Sequence, residues 1–454
     1  MSTLEPEHLF RITWPIFIEQ LLFILMGTAD TLMISHVSGA AVAAVGTCTQ
    51  IVGMVLLIFN MISCGSAVLL SQFLGAKRNE DCAKIAALSI TINLLIGLFM
   101  SFLMFFFRDE VSVIMHLPTN VSPYVDTYFR FVGATIFMQA LLGITSSMLR
   151  ASGFTRVTMF VTLGMNIIHI AGNYLFIFGV FGIPKLGVLG VSISTSMSRT
   201  LAFFVMFILL IRFVPFQMKV RDFFHPHWDT IKRILAVGIP SGGEPMAYQI
   251  SQIVMVSFMA SFGATVLATR VYVMSIMSYV IVFGMSLGFG TSILVGHLVG
   301  ARQVEKAYHL VWRSLLIALS LTFSTVGLIA LFGHSLLSVF TKNPFILHLG
   351  STLMIISIIL EMGRTFNLVI IQSMRAAGDV KFPVMMGMIF PFLLGIPLCY
   401  VLGVSLHLGL IGMWLTILAD ECSRAIIMVF RWRSRVWQDK AVIDRKQSIT
   451  INEN

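Results

Sequence analysis

The chain has 454 residues, of which 57% are hydrophobic and 11% charged, with a formal charge of +10. Soluble domains carry about 25% charged residues, so a soluble globular protein is excluded, and a basic nucleic-acid binder with it. Apolar stretches of roughly 20 residues, the length that crosses a bilayer as a helix, recur from end to end. The chain therefore reads as a polytopic membrane protein.

Twelve spans are predicted, over 10–35, 42–74, 85–107, 125–148, 158–181, 187–213, 235–260, 266–298, 309–332, 348–374, 382–404 and 409–431. The second and eighth are long and are expected to tilt or bend. The runs are continuous rather than alternating, which favours helices over a barrel. The first stretch is too long for a signal peptide and carries Glu19 and Asp30. The connection VPFQMKVRDFFHPHWDT is the longest polar break in the middle, with aromatics and bases suited to a membrane surface. The predicted organisation is a six-helix lobe over 1–213, a cytoplasmic connection over 214–234, a second six-helix lobe over 235–431 and a polar cytoplasmic tail over 432–454 without fixed structure.

Twenty-two loop bases, among them Lys77, Arg150, Arg302, Arg375 and Arg431, fall on one side of these spans. Five, namely Arg108, Arg130, Lys185, Arg270 and Lys342, fall on the other. Bases mark the inner side, which places both termini in the cytoplasm of a cell-membrane protein. The five cysteines show neither a CxxC motif nor metal-ligand spacing.

The sequence repeats itself at an offset of 225 residues. Pro15 matches Pro240, Glu19 matches Glu244, Gly65 matches Gly290, and Gly75-Ala76 matches Gly300-Ala301. Arg150-Ala151 and Gly153 match Arg375-Ala376 and Gly378. Six spans per half is an even number, so the halves share one orientation. This is the plan of transporters that rock two lobes about a central site.

A charge inside the bilayer costs at least about 2.5–3.5 kcal/mol, so each intramembrane ionisable residue needs a partner, a cavity or a role. Glu19 and Asp30 are eleven residues apart on the first span. That is close to three helical turns and predicts a carboxylate stripe lining a cavity between lobes. Glu244 repeats Glu19, whereas the position matching Asp30 is Met255. A shared structural role predicts symmetry; a proton or cation site in one lobe does not. On the tenth span Glu361 and Arg364 are three apart and can pair, and Gln139 occupies the position matching Arg364. Asp420 and Arg424 on the last span suit a structural ion pair, and His169 and Asn173 share a face of the fifth. A buried, hydrogen-bonded histidine is the plainer reading of His169 than a proton relay. No P-loop, metal cluster or nucleophile constellation occurs. An enzyme is not expected, and uphill transport would draw on an ion gradient.

Several segments carry a family resemblance. WPIFIEQLLFILMGTADTLMISHVSGAAVAAVG opens the first half, followed by SQFLGAKRNEDCAKIA, MLRASGFTRVTM and NYLFIFG. The second half has GIPSGGEPMAYQ, VGHLVGARQVEKA and SMRAAGDVKFPV. In order, spacing and twofold repetition these resemble the multidrug and toxic compound extrusion (MATE) family over nearly the whole chain. The resemblance implies an all-α membrane protein of twelve helices in two pseudo-symmetric lobes. It also implies an antiporter exporting drugs and other organic, often cationic, molecules in exchange for protons or sodium ions. By the same resemblance, Asp30 falls on a first-span aspartate used for coupling, and Glu244 on a seventh-span glutamate implicated in one branch. The sequence departs from the family at Arg364, where that branch has an acid, with Glu361 one turn earlier as the alternative. It departs again at Asn173, where another branch has aspartate.

Taken together, Asp30, Glu244 and Glu361 are the expected ion-coupling residues. Glu19, Gln139, Asn173 and Arg364 are the expected cavity residues. No cofactor is expected beyond the coupling proton or sodium ion. The expected partners are small organic molecules and the bilayer, with no nucleic acid, around a monomer. The alternative is a flippase for a lipid-linked precursor, which would need a cavity rich in bases; here the span interiors hold more acids than bases.

Overall fold

The structure is a computed structural model that describes residues 6–443 apart from 116, 183 and 226. Among the described residues there are helices and turns and no strands. Twelve long helices follow one another: α1 (Leu9–Ser35), α2 (Gly39–Gly75), α3 (Asn79–Phe106), α4 (Ser122–Gly133 and Ile136–Ala151), α5 (Thr155–Phe178) and α6 (Val188–Phe213). After them come α7 (Trp228–Ala260), α8 (Ala264–Gly300), α9 (Val304–Leu331), α10 (Pro344–Ala377), α11 (Lys381–Ser405) and α12 (Gly409–Arg433). Among the described residues nine are long and apolar enough to span a membrane, or ten if the two pieces of α4, bent by 47°, count as one. The other two are α7, whose first turns are polar, and α12, which carries Asp420, Glu421 and Arg424. The fold is thus an all-α membrane protein of twelve helices in two lobes.

Several helices begin earlier than apolar content alone suggests. Helix α3 starts at Asn79 rather than 85, because Glu80 and Asp81 stabilise its first turn against the helix dipole. Helix α7 starts at Trp228 rather than 235 and draws the end of the expected connection into the helix, burying Ile234 and Val237. The rest of the connection holds a short helix, Val220–Phe224, tied to α3 by a hydrogen bond from Thr91 to the Phe223 carbonyl.

The chain divides into two compact units whose boundaries fall inside helices. One unit is Ile18–Ile239; the other comprises the described residues of Ser2–Phe17 and Pro240–Asn454. The first turns of α1 therefore belong to the C-terminal unit and the first turns of α7 to the N-terminal one. Leu9, Ile12 and Ile16 lie in the C-terminal core with residues of α8, α9, α10 and α12. A second C-terminal cluster gathers Met255, Met277, Leu353 and Trp414. The N-terminal core gathers Ile34, Cys48, Phe59, Phe129, Ile136 and Ile177.

The exchange of first turns follows the repeat. In the N-terminal unit Gly65 of α2 lies directly under the Ile234 carbonyl and Gly238 of α7. In the C-terminal unit the matching Gly290 of α8 lies under Thr13 of α1, and Thr13 itself matches Gly238. Small residues let helix backbones approach closely, which accounts for the repeated glycine. The repeated Arg-Ala-x-Gly segments are helix ends. Gly153 and Gly378 take φ of 86° and 100°, a left-handed conformation that favours glycine. Each donates its N–H to an arginine carbonyl, of Arg150 and Arg375.

The expected tail departs from the structure at its start. Trp432 is still helical, and Val436–Lys440 form a 3-10 turn that buries Trp437. The two indoles stack at 4.2 Å, and Trp437 Nε1 donates to the Trp432 carbonyl at 3.1 Å. Two buried aromatics outweigh the polar residues around them. Residues 444–454 of that expected tail lie outside the described residues.

Candidate functional site

The carboxylate stripe of α1 forms as the spacing predicts, but it is turned toward α5. Glu19 accepts from Thr158 Oγ1 at 3.1 Å, and eleven residues further along both helices Asp30 meets His169. The two helices run in register, so one spacing on α1 meets the same spacing on α5. Both carboxylates have partners within the N-terminal unit, Glu19 on α4 and α5 and Asp30 on α5.

Glu19 is 2% exposed and takes an ion pair from Arg150 Nη1 at 2.8 Å, with Ser146 Oγ at 3.3 Å. Glu244 repeats the arrangement in the C-terminal unit, paired with Arg375 Nη2 and packed on Gly387 of α11. The matched glutamates and matched helix-ending arginines thus form the same bridge twice, α1 to α4 and α7 to α10. Each bridge satisfies a carboxylate that burial would otherwise penalise.

Asp30 sits in a different environment. Its Oδ1 accepts from His169 Nε2 at 2.6 Å and from Asn173 Nδ2 at 2.7 Å. The imidazole is sealed in, with 1% of its side chain exposed, whereas 20% of the Asp30 side chain remains open. On the far side of the ring, Ser198 Oγ of α6 lies 3.5 Å from His169 Nδ1 and donates to the Thr195 carbonyl at 3.1 Å. Close packing of Gly172 against Ser194 brings α6 near enough for this contact. At the repeat offset the positions matching Asp30, His169 and Asn173 are Met255, Leu394 and Leu398, so these three polar residues have no polar counterpart in the other half, whereas Ser198 matches Ser423.

The C-terminal unit has a network of its own. Arg364 Nη1 donates to Glu361 Oε1 at 2.5 Å and Arg364 Nε to Glu421 Oε1 at 3.3 Å. Asn367 Nδ2 donates to Glu421 Oε2 at 2.8 Å. Arg424 bonds Asp420 at 2.8 Å and Glu421 at 3.1 Å. The pairs read separately on the tenth and last spans are thus one buried network. Gln139, in the N-terminal unit, is half-buried, and its Oε1 has no hydrogen-bond partner.

Of the expected site residues, the structure brings Asp30 and Asn173 together and adds His169 and Ser198. It ties Glu361 to Arg364 and Glu421, and leaves Glu19 and Glu244 in the two symmetric bridges. The contact of His169 with Asp30 was absent from the sequence reading, although the shared face of His169 and Asn173 pointed to it. Ser198 gave no signal in the sequence.

The chain matches known proteins over its length. The sequence model of the MatE family matches residues 15–175 and again residues 240–401, two blocks whose starts are 225 residues apart. The chain is 42% identical to the Uncharacterized transporter YisQ of Bacillus subtilis, over 96% of this chain and 95% of that protein. It is 25% identical to the Probable multidrug resistance protein NorM of Thermotoga maritima, over 97% of this chain and 95% of that protein. Among solved structures, a MOP superfamily transporter from Pyrococcus furiosus superposes with a TM-score of 0.88 at 20% identity, covering 95% of this chain and 96% of that one. With the family's pattern present in both halves, on twelve helices in two lobes, the chain belongs to the MatE family of membrane transporters.

Proposed function

We propose that the protein is a secondary antiporter that exports drugs and other xenobiotics, often cationic, in exchange for protons or sodium ions by alternating access. The observation that carries this reading is the Asp30 cluster. It is a partly open carboxylate within a spanning helix, held by α5 and present in one half only. The bridges of Glu19 to Arg150 and of Glu244 to Arg375 occur in both halves, whereas the Asp30 cluster does not. A cation bound there offsets the charge of the carboxylate, and only a ligand with different affinity for two states shifts their equilibrium. The multidrug resistance named for the Thermotoga maritima relative points to the same class of cargo. The flippase reading calls for a cavity rich in bases; of the three bases within the spans, Arg199, Arg364 and Arg424, the last two are bound to Glu361, Asp420 and Glu421. The excess of loop bases on one side supports a cell-membrane orientation with both termini in the cytoplasm.

Everted vesicles loaded with a cationic dye test the reading, with the pH gradient and the sodium gradient applied separately. Wild type is expected to move the dye under one of them. Asp30→Asn keeps the hydrogen-bonding shape and removes the titration. It should reach normal membrane levels yet lose gradient-driven efflux by about tenfold or more. Full efflux in Asp30→Asn would move the coupling role to Glu361 or Glu244.

A further inference from the structure

Helix α9 begins with a row of bases. Lys306, His309 and Arg313 are spaced by three and four residues, so they share one face of its first turns. With Glu305 and Leu310 they line an open, shallow cavity of about 290 Å³. The same face runs on into Leu316 and Ile317, which are 65% and 39% exposed. One helix face thus presents bases at its end and bare apolar side chains deeper along it. At the repeat offset the positions matching Lys306, His309, Arg313 and Leu316 are Asp81, Lys84, Leu88 and Thr91 of α3. There the chain covers the face itself: Leu88 is buried, and Thr91 donates to the Phe223 carbonyl of the short connecting helix. On α9 the matching Leu316 is open, and bases stand where α3 has Asp81 and Leu88.

The docked end of the chain sets the charge of this cavity. Glu305, the acid in the lining, lies 3.9 Å from His309 Nε2, but its two oxygens accept from Arg435 Nη1 and Nη2. Arg435 lies over the Tyr308 ring at 4.5 Å, and Arg433 over the Trp312 ring at 5.6 Å. The turn after α12 therefore cancels the acid and adds a further base beside the row. Guanidinium and ammonium groups side by side suit a phosphate. The apolar side chains beyond them suit a hydrocarbon chain attached to it, and the aromatic rings suit the membrane–water interface. The loop bases assign this end of α9 to the inner leaflet, whose surface is anionic.

We propose that this face of α9 binds an anionic phospholipid, with the phosphate at Lys306 and Arg313 and an acyl chain along Leu316 and Ile317, and that Arg435 completes the site by cancelling Glu305. The site lies within the C-terminal unit and does not depend on the antiport reading.

The full chain in phosphatidylcholine nanodiscs provides the test, because brominated acyl chains quench tryptophan on contact and Trp312 lies beside the bases. Brominated phosphatidylglycerol should quench with a preference of about fivefold over brominated phosphatidylcholine. Trp312→Phe should remove that excess, which places the lipid at α9. Lys306→Gln with Arg313→Gln should abolish the preference, and Arg313→Gln alone should lower it about twofold. Arg435→Gln should lower it as well, and adding Glu305→Gln should restore it, although that pair leaves the net charge of wild type. Lys219→Gln with Arg221→Gln removes equal charge from the connection and should change nothing at Trp312. Equal quenching by the two lipids would overturn the proposal, as would an equal loss in the connection variant, which reports surface charge alone. Loss of the preference in millimolar inorganic phosphate would assign the bases to a soluble anion instead. A preference seen only in a chain ended at Ile443 would assign the face to the chain's own last residues. Should the Lys306 and Arg313 double variant fail to fold, the Arg435 and Glu305 variants still decide.

Discussion

Glu19 and Glu244 look alike in sequence, and their surroundings show what the likeness means. Each is closed by the arginine that ends a helix in its own half, Arg150 for Glu19 and Arg375 for Glu244. Removing one partner of a buried pair leaves an uncompensated charge and costs about 3–5 kcal/mol. Glu244→Gln should therefore lower the unfolding midpoint of the detergent-solubilised protein. Glu19→Gln should lower it less, because the Arg150 side chain is 28% exposed and can be hydrated, against 7% for Arg375. Thermal scans of tryptophan fluorescence read the order. A Glu244→Gln protein that melts like wild type but exports no dye would return Glu244 to the coupling site. The sequence made the bridging carboxylates visible but not their partners. Arg150 and Arg375 appeared as loop bases, and only folding brings a loop arginine back onto a helix more than a hundred residues away.

Between helices the repeat is a statement about contact geometry. Gly65 and Gly290 were legible as a matched pair because glycine stands out in an apolar run, and the reason for the match lies in the first turns of α7 and α1. A side chain at Gly65 would run into the Ile234 carbonyl, which is backbone. At Gly290 it would meet chiefly the Thr13 hydroxyl, the end of a side chain. Overpacking costs typically about 1–3 kcal/mol, and backbone yields less than a side chain that can change rotamer. Gly65→Ala should therefore destabilise the protein more than Gly290→Ala. Equal melting points for the two variants would refute this account of the repeat. Helix limits were less legible than helix number. Polar first turns such as Asn79-Glu80-Asp81 are absent from an apolar count yet favourable at a helix start. The turn after α12 was hidden for the opposite reason, since two isolated tryptophans in a polar run make no pattern until they stack.

At the scale of the whole chain, even helix number per half and one-sided bases lead to a single orientation. Both follow from composition and order, which is why they could be read without any contact. The same logic cannot reach the Asp30 cluster. Its partners come from α5 and α6, and no spacing within one helix announces a contact between three. The orientation is tested at the first turn of α9 and the turn before α10. Lys306 lies in the first turn of α9, among the loop bases assigned to the inner side, and Lys342 lies just before α10 on the other. Both residues are exposed, and the native Cys48, Cys82 and Cys399 are buried. In a background where Cys64 and Cys422 are replaced by serine, Lys342→Cys should react with an impermeant maleimide added to intact cells. Lys306→Cys should react only after the membrane is opened. External labelling of Lys306→Cys together with protection of Lys342→Cys would invert the assignment, because a bias of 22 bases against five would then point outward, against the rule that holds positive loops inside.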